Sequence, residues 1–457
     1  MNNLSQRLHS RHVNMIALGG SIGTGIFLAS GYAITVGGPG GALFAYIIMA
    51  VIVYFLMTSL GEMSTNKPSA GSFCDYSTLY VGKSFGFAMG YNYWLNWAIT
   101  IAAEISAAAI IMSYWFPGVE SVIFSGIFFV IIFLLNIFSV RVYGETEYWF
   151  SIMKVAIIII FIILGVIAVL RLPHFGTTNW HIGDAPFHAG FLGFLTVFLF
   201  AGFSFQGSEL VGVASEETKE PQKNIPKSIK RVFWRLCLFY VLSIGIISLL
   251  IPYTNPNLAN QSDVTMSPYT IIFQQYLSHY AASFVNFVIL VAILSAANAS
   301  MYSATRILWY LGKTKQAPSA VQKVNSHGVP MLALILTAVI GGLVFISSYM
   351  DNGVLFNYLV QISSLSGFIA WFGIALSHYK FRKDYLPTHG GFDSLIYKAK
   401  FYPYAQIISM LFILFIVAAQ FLTVGSEGRT FWGLVTVYSS VILFIVIYFG
   451  HKVFAKN

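Results

Sequence analysis

Hydrophobic positions along this chain gather into twelve apolar runs that are separated by short polar segments. Each run has roughly the 20 residues that a helix needs to cross a hydrocarbon layer of ~30 Å. The predicted transmembrane helices cover residues 14–36, 40–61, 85–114, 121–141, 148–171, 190–214, 232–252, 283–306, 330–349, 354–377, 401–423 and 430–450. The pattern predicts an all-α polytopic membrane protein with a single membrane domain over residues 1–457. In the longest connection, SPYTIIFQQYL (267–277) predicts a short interfacial helix.

Two predicted spans are interrupted by glycines and polar residues at mid-membrane. The first span contains GGSIGTGIF (19–27) and the sixth contains AGFSFQGSE (201–209). Each glycine costs about 1 kcal/mol relative to alanine inside a helix, and unwound backbone at membrane depth needs a cavity or a polar ligand. Close helix packing is the alternative explanation for small residues at such positions. Because spans one and six enter the membrane from opposite sides, the paired breaks predict an inverted-repeat transporter with its site near the midplane.

The chemistry of a broken helix indicates what kind of ligand this site takes. The half-helix that starts after Gly23 presents free N–H groups and a positive dipole end to an anion. The half-helix that ends near Ser21 presents carbonyl groups to a cation. The two ends together predict a site for a small zwitterion.

Three charged residues lie well inside the predicted spans, away from the span ends, where burial of charge is costly. Glu104 continues a line with Asn96 and Thr100 at intervals of four, so the three share one helix face. This line favours a cavity-lining role over a solvated helix end. Glu209 directly follows the sixth-span break, where it either steadies the unwound backbone or carries functional charge. Lys154 either snorkels to the interface or acts as a coupling group that changes its charge.

Composition and charge agree with a membrane protein. The chain is 57% hydrophobic and 9% charged, with a mean hydropathy of +0.75, which excludes an ordinary soluble domain. Of the 25 Lys and Arg residues, 22 fall on the side of the predicted helices that holds both termini. The positive-inside rule therefore predicts cytoplasmic N- and C-termini. The net charge of +9 is spread over short loops, so no nucleic-acid partner is expected.

Seven stretches carry a resemblance to a known family. They are RHVNMIALGGSIGTGIFLASG (11–31), YFLMTSLGEM (54–63), FGFAMGYNYWLNWAIT (85–100), GETEYWFSIMKV (144–155), GFSFQGSELVGVASEE (202–217), IISLLIPYT (246–254) and GFIAWFGIALSHYKFR (367–382). Nearly end to end, the chain resembles bacterial amino-acid permeases of the amino acid–polyamine–organocation superfamily, most of all its lysine-specific members. The resemblance implies inverted repeats over 14–171 and 190–377, which are spans 1–5 and 6–10, followed by two accessory helices over 401–450.

The resemblance also implies roles for individual residues. The amides of Thr24 and Gly25 are expected to hold the substrate α-carboxylate. Carbonyl groups at the two breaks are expected to hold the α-amine, here those of Ser21, Phe203 and Gln206, and Phe203 is expected to act as a gate. The expected neighbours of the substrate's side-chain ammonium are Glu104, Thr100, Ser363 and Ser366, and Glu209 completes the expected substrate-binding set. The expected proton-coupling residues are Lys154, Ser295 and Asn298.

The expected function is proton-coupled uptake of L-lysine across the bacterial cytoplasmic (inner) membrane by alternating access. The proton is the coupling ion, and no other cofactor or metal is expected. Arginine, ornithine and neutral amino acids remain alternative substrates, and a lysine sensor or co-receptor on the permease fold is the alternative from another class. The expected partners are the substrate, the lipid bilayer and a regulatory membrane protein at the basic loop 219–235. An enzyme is not expected, because the sequence lacks paired interfacial acids, a metal-spaced His cluster and a nucleophile motif.

Overall fold

The structure is a computed structural model of the chain. It describes residues 21–69, 71–138, 140–213, 221–260, 263–264, 266–326, 328–423 and 431–454. The start of the first predicted span, residues 14–20, lies outside the described residues. So do residues 214–220, which include the beginning of the basic loop, and residues 424–430.

The described chain is almost entirely helical. Its α-helices are α1 (Ser30–Asn66), α2 (Ser72–Tyr76), α3 (Lys83–Met112), α4 (Ser121–Phe138), α5 (Val140–Arg171), α6 (Gly190–Phe205), α7 (Leu210–Val213), α8 (Pro221–Leu250), α9 (Pro268–Tyr276), α10 (His279–Lys313), α11 (Met331–Gly341), α12 (Asn352–Lys380), α13 (Tyr404–Thr423), α14 (Phe431–Val437) and α15 (Ser439–Phe454). The π-helices are Gly25–Ala29, Ser77–Val81 and Phe381–Tyr385. The 3₁₀ segments are Pro173–His181, Ser319–Gln322, Gly342–Ser348, Leu386–Thr388 and Phe392–Ser394. Two short antiparallel strands, β1 (Ala259–Asn260) and β2 (Asp263–Val264), pair with each other.

Eight helices among the described residues are long and apolar enough to cross a membrane, and three shorter apolar helices accompany them. The expected all-α polytopic class is therefore confirmed. The first of the eight, Gly25–Asn66, has 42 residues and contains predicted span two and, from Gly25 onward, predicted span one. Those two spans follow each other through a break at a single residue, Gly38, which has φ 74° and ψ 172°.

The break at Gly38 has a clear local cause. Pro39 follows it, and proline both removes a helical N–H donor and disfavours α geometry at the preceding residue. A β-carbon at Gly38 would lie 2.6 Å from the Pro186 carbonyl oxygen, so the close approach requires glycine. The freed amide of Gly40 donates to the same oxygen over 2.9 Å. The turn between spans one and two is thereby fixed to the connection between spans five and six.

Several helices extend beyond the predicted spans. The helix predicted to start at residue 148 starts at Val140, and the helix predicted for 283–306 runs over His279–Lys313. Hydropathy marks only the apolar part of a helix, whereas polar residues continue the same hydrogen-bonded backbone into the loops.

The helix predicted in the longest connection is present as α9, and its first turn is buried in the protein. Tyr269 is fully buried and donates to Ser243 Oγ over 2.9 Å, and its ring lies 3.9 Å from that of Phe161. Ser267, just before α9, donates to the Phe27 carbonyl oxygen over 2.6 Å. This helix therefore packs into the protein beside the first span.

Two groups of helices form the core. α1 packs against α6 and α8, while α3 packs against α10 and α12. Almost all of α3 is buried, whereas only a third of the most apolar stretches of Glu147–Arg171 and Met331–Ser348 is buried. The ion pair between Glu62 of α1 and Arg382 joins the first group to the end of α12. The breaks described below lie where the two groups meet.

Candidate functional site

The first break lies at the start of the described chain. Ile22 and Gly23 are bends, Thr24 follows, and the backbone continues as a π-helix over Gly25–Ala29 before α1 begins. The predicted interruption of the first span is therefore present in its described part. It leaves the Thr24 amide without a partner in its own helix, because the first amides of a helix have no intrahelical acceptor.

The second break follows α6. Gln206 is extended, with ψ 151°, and Gly207 has φ 88°, a left-handed conformation that favours glycine. Four residues, 206–209, form turns before α7 starts at Leu210. The predicted interruption of the sixth span is confirmed, and it lies just after Phe203, the predicted gate.

The two broken segments are in direct contact. A β-carbon at Gly25 would lie 2.5 Å from the Cα atom of Ser204, so only glycine permits this approach. The Ser204 Oγ atom also lies 2.8 Å from the hydroxyl oxygen of Tyr46. The structure thus places the first-span break against the last turn of α6.

Glu104 contacts the first break directly. Its Oε2 and Oε1 atoms accept from the Thr24 amide over 3.3 and 3.4 Å, and the Thr24 hydroxyl donates to Oε2 as well. Glu104 is buried, and Gly23 leaves room for it, since a β-carbon there would lie 2.7 Å from Oε1. The structure therefore brings together two predicted site residues. The Glu104 carboxylate therefore accepts a hydrogen bond from the Thr24 amide. The family resemblance assigns that same amide to the substrate carboxylate.

Carbonyl groups at the breaks are also partly engaged. The Ser21 carbonyl oxygen accepts from the Tyr240 hydroxyl over 2.6 Å, and that of Phe203 accepts from the Gln206 amide over 3.2 Å. A carbonyl oxygen has two lone pairs and can accept from two donors. The Phe203 side chain is buried.

A polar network joins α3, the second break and α12. The Gln206 side chain donates to the Ser363 carbonyl oxygen over 3.0 Å, and its Oε1 accepts from Asn96 over 3.3 Å. The Ser363 hydroxyl lies 2.9 Å from both Thr100 Oγ1 and Asn96 Oδ1. The structure thus unites Thr100, Gln206 and Ser363, whereas Ser366 bonds separately to Asn92.

Glu209 contacts the unwound backbone rather than the first break. Its Oε1 accepts from the Gly207 amide over 3.3 Å and from the Tyr93 hydroxyl over 3.4 Å. Its Oε2 accepts from the Trp371 ring N–H over 3.4 Å. These contacts favour the role of Glu209 in steadying the break.

Lys154 is fully buried, which rules out snorkelling to an interface in this conformation. Its Nζ atom lies 3.4 Å from Oε1 of Glu147, which is itself 1% exposed. The other oxygen of Glu147 accepts from the Ser295 hydroxyl over 2.6 Å. Ser295 therefore reaches Lys154 through a carboxylate, whereas Asn298 accepts from Asn136 of α4 over 2.7 Å.

Sequence reasoning missed two residues of this site. Glu147 was assigned to the loop before the fifth span, although it stands seven residues before Lys154, two helical turns away on the same face. That spacing was the available signal. Tyr240 carried no comparable signal, because its contact with Ser21 depends on how α8 packs against α1. Within the described part of the chain, no group of three His, Cys, Asp or Glu side chains is arranged to hold a metal ion.

Comparison with known proteins decides the family. The amino acid permease family matches residues 12–457. The chain belongs to the amino acid permease family. It is 46% identical to the lysine-specific permease LysP of Escherichia coli K12 over 98% of this chain and 93% of the relative. It is 42% identical to LysP of Lactococcus lactis MG1363 over 98% and 90%. It is 43% identical to the histidine permease HisP of the same organism over 99% and 95%.

Proposed function

We propose that this permease takes up L-lysine together with a proton across the bacterial cytoplasmic membrane by alternating access. The observation that carries the proposal is the contact between two interrupted membrane helices, at Gly25 and Ser204, beside the buried carboxylate of Glu104. Unwound backbone of this kind supplies amides for a carboxylate and carbonyls for an amine. The two lysine-specific relatives, 46% and 42% identical, support lysine as the substrate.

The proposed architecture has twelve crossings, an inverted repeat over 14–171 and 190–377, and accessory helices over 401–450. Eleven apolar helices and the break at Gly38 within the first of them support the number of crossings. Interruptions in the first and sixth spans support the repeat. The distribution of Lys and Arg supports cytoplasmic termini.

Substrate binding is proposed to rearrange Glu104. The α-carboxylate of lysine takes the amides of Thr24 and Gly25, and it displaces the Glu104 carboxylate that accepts from Thr24 in this structure. The α-amine binds the carbonyls of Ser21, Phe203 and Gln206. Glu104, released from Thr24, then pairs with the ammonium of the substrate side chain, and a charge-assisted hydrogen bond is stronger than a neutral one.

The transport cycle uses Phe203 and Lys154. Phe203 closes over the bound substrate, after which the broken helices rock against the helices packed around α3. Lys154 carries the coupling proton and releases it toward the cytoplasm, which resets the carrier. A Lys154→Ala variant is expected to lose lysine accumulation driven by a pH gradient. Accumulation with the wild-type pH dependence would remove Lys154 from this role.

Histidine is a second candidate substrate. The histidine permease HisP is 43% identical over 99% of this chain, as similar as the lysine-specific relatives. Histidine shares the α-amino and α-carboxylate groups that the breaks are proposed to recognise. It differs in the side chain that Glu104 is proposed to face, which is an imidazole ring in place of a four-carbon chain with an ammonium group.

Counterflow in proteoliposomes tests the proposal. Vesicles with the purified full-length protein are loaded with one unlabelled amino acid of a panel of twenty, and uptake of labelled lysine is measured. We expect strong counterflow with internal lysine and weaker counterflow with arginine, ornithine or histidine. If labelled lysine is not taken up, each amino acid of the panel is tested again with its own labelled form outside. Exchange of another amino acid would assign the carrier to that substrate, and failure of the whole panel would favour a sensor.

A further inference from the structure

Glu147 and Lys154 form a buried ion pair inside the membrane domain. Their side chains are 1% and 0% exposed, and Nζ lies 3.4 Å from Oε1. The two residues are seven positions apart on α5, about two turns, so one helix face presents both. The pair is therefore set by the helix itself and not by a flexible loop.

The second carboxylate oxygen of Glu147 is held from another helix. Ser295 of α10 donates its hydroxyl hydrogen to Oε2 over 2.6 Å. A carboxylate with one oxygen toward an ammonium group and the other on a fixed hydroxyl has a defined orientation. The contact also links α5 to α10, which belongs to the helices packed around α3.

A buried amine without a counter-charge favours its neutral form, because desolvation disfavours the charged form. A carboxylate within about 4–6 Å has the opposite effect. A carrier that loads its proton on Lys154 at neutral external pH needs such a carboxylate. Glu147 fits this need in position, burial and orientation.

We propose that Glu147 is the positioning residue of proton coupling: it keeps Lys154 protonated until the carrier opens to the cytoplasm, and Ser295 fixes its orientation. The inference rests on the proposed proton-coupled function and adds a residue to it. In the loaded state Lys154 is an ammonium group and Glu147 a carboxylate. On release the Nζ–H bond breaks, the proton goes to cytoplasmic water, and the amine keeps the electron pair.

The helices around this pair carry further polar and titratable groups. Glu104 of α3 is a second carboxylate within electrostatic range of Lys154. From α8, Tyr240 bonds to Ser21, and from α9, Tyr269 stacks on Phe161, two turns beyond Lys154 on α5. The groups from α10 and α4 are neutral: Ser295, Asn298 and Asn136. Glu147 is in direct contact with Lys154.

The test compares Glu147→Gln with the wild type in proteoliposomes, using the full-length protein. Labelled lysine uptake is measured as counterflow and as accumulation driven by a pH gradient, at external pH 5 to 8. Glutamine preserves the size of the side chain and an oxygen for Ser295, so the change removes mainly the charge. We expect half-maximal uptake to move toward acidic pH by about one unit or more, with counterflow approaching the wild-type rate at the acidic end.

Two further variants make the test decisive. Glu120→Gln makes the same chemical change at an exposed position and should leave the pH profile unchanged. Glu147→Asp keeps the charge at a greater distance, so its half-maximal pH should lie between those of the wild type and Glu147→Gln. It also decides the matter if Glu147→Gln does not fold, since an acid shift supports the proposal and an unshifted profile overturns it.

The outcomes separate the inference from the proposed function. A Glu147→Gln protein with the wild-type pH profile, or with an equal loss of rate at every pH, would overturn the role of Glu147. Both results require that the wild type exchanges lysine. A wild-type protein that fails to exchange lysine at any pH would instead overturn the proposed function.

Discussion

At the residue scale, Glu104 joins two parts of the site that are 80 positions apart in the chain. It accepts from both the amide and the hydroxyl group of Thr24, at the first break. In this conformation the carboxylate satisfies backbone that would otherwise be unpaired in a buried place, which is costly. A substrate that binds the same amide must provide an equivalent acceptor, as the carboxylate of an amino acid does.

Replacement of Glu104 by glutamine tests its proposed place beside the substrate ammonium. Glutamine still offers an oxygen to Thr24, but it removes the charge. Because hydrogen bonds to charged groups are worth about 1.5–3 kcal/mol, we expect the KM for lysine to rise about tenfold or more. Initial-rate uptake over a range of lysine concentrations measures the change.

Glu120→Gln, at an exposed position, provides the matched control and should leave the KM unchanged. An unchanged KM in Glu104→Gln as well would remove Glu104 from recognition of the substrate. A KM that rises equally for lysine and for a neutral amino acid would instead show that Glu104 serves the break and not the side chain.

The cost of burying charge in the membrane singled out Glu104, Lys154 and Glu209 in the sequence, and all three are buried. It did not single out Glu147, because the apolar pattern of the fifth span begins at residue 148, whereas α5 begins at Val140. Burial of a residue at the polar end of a helix depends on its neighbours in space. The sequence alone does not show which residues become neighbours in the folded protein.

At the element scale, the close contact between the broken segments depends on a missing side chain. Gly25 lies against the backbone of Ser204, and an added β-carbon would lie 2.5 Å from its Cα atom. Backbone cannot move aside as a flexible side chain can, so a methyl group here would push the first and sixth spans apart.

A Gly25→Ala variant measures how much transport needs this contact. Overpacking of this kind costs about 1–3 kcal/mol, so the protein should still assemble. We expect lysine counterflow to fall about tenfold or more, because the two helix breaks are then no longer in direct contact. Gly41→Ala is the matched control, since a β-carbon there would meet its nearest atom at an ordinary 3.8 Å. Equal counterflow in the two variants would show that the contact is dispensable.

Glycine-rich sequence was sufficient to predict the location of both breaks, because glycine inside an apolar helix has a clear cost. It was not sufficient for the placement of α9. SPYTIIFQQYL predicted a short interfacial helix, and the structure adds that Ser267 and Tyr269 at its start bond to the protein interior. The two environments share one sequence pattern, and tertiary contacts decide between them.

At the scale of the whole molecule, contacts between helix ends hold the two groups of helices together. Arg382, after α12, donates from Nε to Oε1 of Glu62 over 2.7 Å and also bonds to Oε2 through Nη2. The same Nη2 donates to the Ala399 carbonyl oxygen over 2.9 Å. His378 approaches Glu62 to 3.1 Å. Because Arg382 makes two bonds to one carboxylate, lysine would not replace it.

Loss of this buried pair should lower the stability of the protein. Removal of one partner leaves a buried charge without compensation, which typically costs about 3–5 kcal/mol. We expect Arg382→Gln to unfold in detergent at a distinctly lower temperature than the wild type, in a thermal shift measurement. Lys383→Gln, one residue further at an exposed position, is the control. Restored stability in the double variant Glu62→Gln with Arg382→Gln would show that the lone carboxylate causes the loss.

The loop between spans five and six is fixed by a different carboxylate, which lies outside the predicted spans. Asp184 accepts from the Tyr253 hydroxyl over 2.6 Å, from the His188 side chain over 2.6 Å and from the Ala189 amide over 3.2 Å. The Tyr253 hydrogen bond, followed by that of His188, holds the pKa of Asp184 well below its ordinary value. A lowered pKa means that the contact contributes its full stability above the unfolded-state pKa of about 3.9, and loses it only as the pH falls further.

This contact should therefore persist at pH 5, which lies above the unfolded-state pKa of Asp184. We expect the Ala189 amide to keep the same protection against hydrogen exchange at pH 7 and pH 5, after correction for the intrinsic rate. Asp184→Ala should raise its exchange rate at both pH values, because the amide loses its acceptor. Asp351→Ala is the matched control: Asp351 accepts from the Gly353 amide over 3.0 Å at the start of α12, and its loss should leave Ala189 protected. Protection that disappears between pH 7 and pH 5 in the wild type would mean that a group other than Asp184 controls the loop, and that acidification itself loosens this side of the carrier.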